Sequence, residues 1–344
     1  MSVHLSNDLT AGRRPVADAR FAGSPSRGTG GDLDPDVSIE DMSLDELRDL
    51  LARHARPDLS TPIEDLRIFR AERPQPPVPT TYGKVLALVA QGTKRFALGK
   101  HLYEYRAGQY LIASVDLPVT AYFEKASPQE PGLGFGLTLH PSAIAEVLLQ
   151  AGADEPAALD PDTAPGLAVS TAPAELVEAA VRLLRLLDRP RDIPVLAPLI
   201  KREIIWRLIT GEQGATVRQF GFPDSSLSHI ARAVQRIRDD YAQPFRVEEL
   251  AQQAGMSTSA FHRNFQTVTA MSPIQFQKQI RLQQARLLLA ADPADIAGIS
   301  RRVGYQSPAQ FSRDYRRQFG NPPTRDAHLR AYTRTGAPSA SRKI

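Results

Sequence analysis

The sequence predicts an α+β chain in which a β-barrel or sandwich with attached helices precedes an all-α unit. Three observations carry this. Short strand-type runs punctuated by turn residues fill the stretch from residue 85 to 124. From Pro141 the apolar period changes from two to 3.6. Two segments of the last third then repeat one helix–turn–helix grammar, with their glycines 49 residues apart.

Residues 1–40 are rich in Ser, Gly, Pro, Asp and Arg and are expected to be a disordered tail, as are residues 333–344. Met1 to Arg27 lack the apolar core of a secretory signal. A first amphipathic helix is expected from an N-cap at Ser43 through Leu44, Leu47, Leu50 and Leu51 to Ala55. The strand-type runs are Val85–Ala90, Arg95–Leu98, Leu102–Tyr105, Tyr110–Val115 and Thr120–Glu124. Gly92, Gly99, Gly108 and Pro118 mark the turns, a pattern that fits an antiparallel sandwich or barrel. Helices are expected over 141–151, 173–188 and 193–211. The third is apolar nearly all round, which means burial within the monomer or an interface, the interface reading being a homodimer contact through the second and third of these helices. Gly211 to Asp224 reads as a linker, and the chain is helical from Ser225 to about Tyr332. The expected division is a domain over 41–222 and a second over 223–332.

Charge separates the two parts. Residues 225–344 hold 18 Lys and Arg against 8 Asp and Glu, a net of +10, whereas residues 1–224 carry −6. The basic part is suited to a polyanion and the acidic part is not. There is no cysteine, which excludes disulfides and thiolate chemistry and fits a cytoplasmic location. No apolar run is long enough to span a membrane. Two histidines, His101 and His140, fall in or beside the barrel segment without a His-x-His pair, so a cupin-type metalloenzyme is disfavoured and no cofactor is expected. Neither a phosphate-cradling Gly-rich loop nor a nucleophile elbow occurs.

In the first repeated segment, Glu249–Phe265, small Ala251 stands four residues before Gly255. In the second, Gly298–Tyr315, Ser300 stands four before Gly304. Two helices crossing steeply need a tight turn, which glycine supplies, and a small residue for close approach. Ser257 and Ser307 are the expected caps of the helices that follow, with Pro308 at a first helical position and Gln310 placed for a capping box. The aromatics four apart, Phe261/Phe265 and Phe311/Tyr315, face inward. Ser259, His262, Arg263 and Gln266 then face outward on one helix, and Ala309, Gln310, Arg313 and Arg316 on the other. Arg reads guanine and Gln reads adenine by paired hydrogen bonds, so Arg263 and Arg313 lead as base contacts, while Arg316 suits a base or a phosphate. One helix, Pro273 to Ala291, joins the two motifs. Nineteen residues span roughly 28 Å, near the roughly 34 Å repeat of duplex DNA, so one chain can address successive major grooves.

Residues 225–332 resemble the DNA-binding domain of the AraC/XylS family of bacterial regulators. The resemblance rests on Gly255-Met256-Ser257, on Arg281–Leu289, and on the run from Val303 to Pro323. It implies major-groove contacts from Ser259, His262, Arg263, Ala309, Gln310 and Arg313. Ile299 and Ser300 replace a common Ala-Ala pair, and Ser259 and Ala309 are too short for more than close-range contacts. If the two heads differ in specificity, the second, with Ile299, Ser300 and Ala309, is expected to contribute less. Leu88–Arg95, Tyr105–Val119 and Ile193–Ile204 are similar to the N-terminal domain of one subgroup of the family. That similarity implies a cupin-like β-barrel followed by helices, used for effector sensing or dimerisation. The expected protein is a regulator of double-stranded DNA controlled by a small-molecule effector, with RNA polymerase as a further partner. The alternative is a ligand-independent regulator whose barrel serves dimerisation or polymerase contact.

Overall fold

The computed structural model describes residues 39–74, 77–99, 101–152, 165–291 and 295–326. The expected tails lie outside them, apart from Ile39 and Glu40. Those two begin helix α1 (Ile39–His54), so Ser43 is inside the helix and is not its cap. The leucines behave as the periodicity requires: Leu47, Leu50 and Leu51 are buried, and α1 packs on α3 (Ala174–Arg185). Arg185 fixes that packing with a two-pronged contact to Glu46, both bonds 2.6 Å long.

Among the described residues, nine strands form two antiparallel sheets. One orders β1 (Leu66–Ala71), β8 (Gly132–Thr138), β3 (Val85–Gln91), β6 (Gln109–Ala113) and β9 (Leu167–Thr171). The other orders β2 (Val78–Tyr82), β7 (Leu117–Phe123), β4 (Thr93–Leu98) and β5 (His101–Arg106). The five expected runs correspond to β3–β7. Strands β1, β2, β8 and β9 had no comparable signal, and β8 shows why. Its Gly132, Gly134 and Gly136 depress strand propensity, yet a Cβ at Gly134 would collide with the Leu88 carbonyl oxygen and the Phe69 ring. Close approach excludes a side chain there. Pro79 of β2 is tolerated because that strand lies at a sheet edge. Phe96, Tyr105, Tyr110 and Phe135 are buried in the apolar core that the sheets enclose.

Helix α2 (Pro141–Gln150), α3 and α4 (Ile193–Thr210) follow the expected spans closely. Residues 211–224 do not form a plain linker: α5 (Gly214–Gly221) occupies most of them. Val217 and Phe220 are buried, and α5 packs on α2 and α4 with Gly221 closely apposed to Leu148 and Ile144. Helix α4 is two-sided. Ile204, Ile205, Leu208 and Ile209 are buried, whereas Val195 and Leu199 are 67% and 61% exposed and Leu196 and Trp206 are each 40% exposed.

The helical third comprises α6 (Ser226–Asp239), α7 (Val247–Gln253), α8 (Thr258–Thr269), α9 (Pro273–Ala291), α10 (Ile296–Arg302) and α11 (Pro308–Phe319). One apolar core runs from α1 through the sheets and α2–α6 into α7, α8 and the first half of α9, as far as Ile280. It crosses the 222/223 division drawn from the sequence. A second, smaller core begins at Leu282 and is completed by α10 and α11. Polar contacts reinforce the junction between the sheets and the first head. Gly166 N–H donates to the Val268 carbonyl at 3.0 Å, Gln279 Nε2 donates to the Pro118 carbonyl at 2.9 Å, and Arg238 pairs with Asp116.

A Cβ at Gly166 would strike the Val268 carbonyl, so Gly166→Ala must push the sheet edge off α8. We expect a loss of about 1–3 kcal/mol of stability, read by urea unfolding. An unchanged midpoint would mean that the junction carries no stability.

Candidate nucleic-acid interface

The two heads are built by the same local bonding. In the first, Gly255 takes φ +64°, and Met256 N–H donates back to the Ala251 carbonyl at 2.9 Å. In the second, Gly304 takes φ +87°, and Tyr305 N–H donates to the Ser300 carbonyl at 3.0 Å. Ser257 Oγ accepts from Ala260 N–H and Ser307 Oγ from Gln310 N–H, each at 3.3 Å, so both expected caps are formed. Phe261, Phe265, Phe311 and Tyr315 are fully buried, with Phe265 edge-on to Phe276 of α9.

Turning these aromatics inward presents the opposite faces of α8 and α11. Ser259, His262, Arg263, Gln266, Ala309, Gln310, Arg313 and Arg316 are all exposed. No described carboxylate forms an ion pair with Arg263, Arg313 or Arg316. Arg317, one residue further on, behaves differently, since Asp314 holds it. The basic excess therefore divides into residues consumed by the fold and residues left at the surface. Arg301 and Arg302, in the last turn of α10, belong to the exposed set and had not been singled out from the sequence.

The consumed set explains how α9 joins the heads. Arg281 donates to the carbonyls of Tyr241 (2.7 Å), Ala242 (3.1 Å) and Gly304 (2.9 Å). It thereby ties the α6–α7 loop to the second head's turn. Gln277 donates to the Tyr241 and Gln243 carbonyls at 3.0 and 2.6 Å. Arg286 grips Asp326 through two bonds, and Tyr315 Oη donates to the same carboxylate at 2.7 Å. Lys278 pairs with Asp314, whose charge adds to burial in pushing the Tyr305 phenol well above its ordinary range. Ser300 is fully buried and its hydroxyl has no partner among the described residues. That unmet donor is a local cost in the second head.

Two cavities adjoin the sheets. One of about 380 Å³ lies at the junction with α6 and is lined in part by Lys84, Asp116, Phe220 and Arg232. Burial pushes the Lys84 amine below its usual range. The other, of about 370 Å³, lies between α2 and α4. His140 Nε2 is 3.0 Å from Asp65 Oδ1 at its rim, and His101 is on β5. Among the described residues no three His, Asp or Glu side chains gather in a way that could hold a metal. No helix among them is long and apolar enough to cross a membrane.

Each part of the chain matches a known family model. Residues 62–216 match the family model of the AraC-type transcriptional regulator N-terminus, and residues 250–327 match a helix-turn-helix domain model. The chain is 29% identical over 99 residues to the HTH-type transcriptional regulator MtrA of Neisseria gonorrhoeae, covering 29% of this chain and 32% of that protein. It is 28% identical over 166 residues to the virulence regulon transcriptional activator VirF of Yersinia enterocolitica, covering 47% of this chain and 59% of the relative. The alignments thus span between about a third and three fifths of these curated relatives. Among solved structures, ToxT from Vibrio cholerae O395 aligns over 80% of this chain and all of its own, with a TM-score of 0.46 and 11% identity.

The two turn glycines are not equivalent. The nearest atom to a Cβ at Gly255 is 4.0 Å away, whereas one at Gly304 would collide with the Ala242 carbonyl. Gly255→Ala should cost about 1–2 kcal/mol for the left-handed backbone alone. Gly304→Ala should cost about 2–5 kcal/mol, because overpacking adds to it. Chemical denaturation of both variants checks the order, and equal losses would contradict the packing argument.

Proposed function

We propose that the chain is a regulator of the AraC/XylS type, a sequence-specific double-stranded DNA-binding transcription regulator that acts in the cytoplasm. The observation that carries this reading is the pair of identically bonded heads with unpaired arginines on their outer faces. Helices α8 and α11 enter successive major grooves. Arg263 and Arg313 make paired hydrogen bonds to guanine. His262, Gln266 and Gln310 contact neighbouring base edges, and the short Ser259 and Ala309 leave room for close approach. Arg316, Arg301 and Arg302 serve phosphates, which position the protein without reading sequence. No catalytic step is assigned to any residue.

Control by a small-molecule effector in the N-terminal domain is part of the proposal. Its support is the shared apolar core, which puts the sheets and the first head in direct contact. The junction cavity, with half-buried Lys84 and with Arg232 of α6, touches both parts. The exposed apolar residues of α4 support a homodimer through that helix. Contact with RNA polymerase completes the reading. The division into an effector domain over 41–222 and a DNA-binding domain over 223–332 is retained as a functional one.

Arg313→Ala in the full chain should weaken binding to a selected site by about 1–3 kcal/mol and relax preference at one base pair. Fluorescence anisotropy on that site, on its single-base variants and on random duplex checks this. Equal loss on specific and random DNA would make Arg313 a phosphate contact. Absence of salt-sensitive DNA binding by the intact protein would remove the whole reading.

A further inference from the structure

The cavity between α2 and α4 has the makings of a binding site separate from the junction. Its walls include Val147 of α2 and Ile205, Leu199 and Pro198 of α4. At its rim, Asp65 takes φ +68°, a left-handed conformation that aspartate adopts more readily than most side chains. The Asp65 carboxylate is already satisfied, held by His140 at 3.0 Å and by Lys201 at 3.3 Å. Lys201 is therefore occupied.

Arg202, the next residue, is not. It lines the cavity and forms no ion pair or hydrogen bond with any described residue, and its Nη2 is buried without an acceptor. Both of its chain neighbours are paired, Lys201 with Asp65 and Glu203 with Arg182. A half-buried guanidinium with no anion, in a cavity whose walls are part apolar and part charged, lacks the partner that such groups normally have. Glu64 and Glu146 also line the cavity and oppose any anion that Arg202 does not itself hold, so a second anionic group on whatever enters is disfavoured.

We propose that this cavity binds a small organic monocarboxylate with a compact apolar body. The carboxylate pairs with Arg202, and the body lies against Val147, Ile205 and Leu199. The volume is at the small end of ordinary ligand sites, which suits an aromatic or branched acid better than a long chain. Occupancy would also cover Leu199, on the exposed apolar face of α4. The inference rests on the effector-control reading above and gives it a place and a chemistry.

The test uses the full-length protein and four probes: benzoate and 4-phenylbutyrate, with benzamide and 4-phenylbutyramide as their neutral counterparts. Calorimetry should find one site per chain for at least one acid, with its amide weaker by about tenfold or more. Arg202→Gln should weaken that acid by about tenfold or more, and Lys84→Gln should leave it unchanged. Arg202→Lys, which keeps the charge but not the fork, should fall between them and guards against misfolding of the first variant. Binding by neither acid, equal binding by acid and amide, or loss in Lys84→Gln but not in Arg202→Gln would each overturn the site. DNA affinity measured with and without the bound acid separates the two claims. Binding through Arg202 with no change on DNA would leave the site standing and remove effector control. A ligand response on DNA that survives Arg202→Gln would do the reverse.

Discussion

Helix α9 must satisfy two cores at once, and this constraint organises the helical third. Its first half completes the large core through Phe276 and Ile280, and its second half completes the small one through Leu282, Ala285 and Leu289. A helix with apolar residues on more than one side leaves little free surface for polar groups. Several of those it carries are accordingly matched: Gln277, Gln279 and Arg281 donate to main-chain carbonyls, and Arg286 meets Asp326. A buried amide or guanidinium without such partners costs free energy, so each match also fixes position. The spacing of the two heads follows from these contacts as much as from helix length.

The same matching divides the basic charge of the last third. Arg238, Arg281, Arg286, Arg317 and Lys278 are committed to carboxylates or carbonyls within the protein. Arg263, Arg313 and Arg316 are not paired with described carboxylates and lie on the outer faces of the heads. Net charge alone overstates what is available to a polyanion, and the arrangement of pairs decides which positive groups remain.

How much of this could be read from the sequence depended on whether a feature leaves a side-chain pattern. The turns, caps and inward aromatics of both heads were legible, because Gly255, Ser257, Phe261 and their counterparts act at fixed short offsets. The eight outer residues followed by helical geometry. Strand β8 was not legible, since its glycines are selected by the close approach of Phe69, Phe123 and the Leu88 carbonyl. Nor was α5, a short helix in which only Val217 and Phe220 mark the buried side. The roles of Arg281 and Gln279 could not be foreseen either, because their partners are backbone carbonyls, which any sequence supplies. Arg202 became distinctive only once the partners of its neighbours were known.

The small core of the second head holds eight fully or nearly buried side chains and one unsatisfied hydroxyl, while the first head shares the large core of the sheets. Local opening costs less where fewer apolar contacts are broken. In this respect the second head is the one that loosens first under heat or denaturant, while Arg281 and Arg286 still hold it to α9 at a set distance.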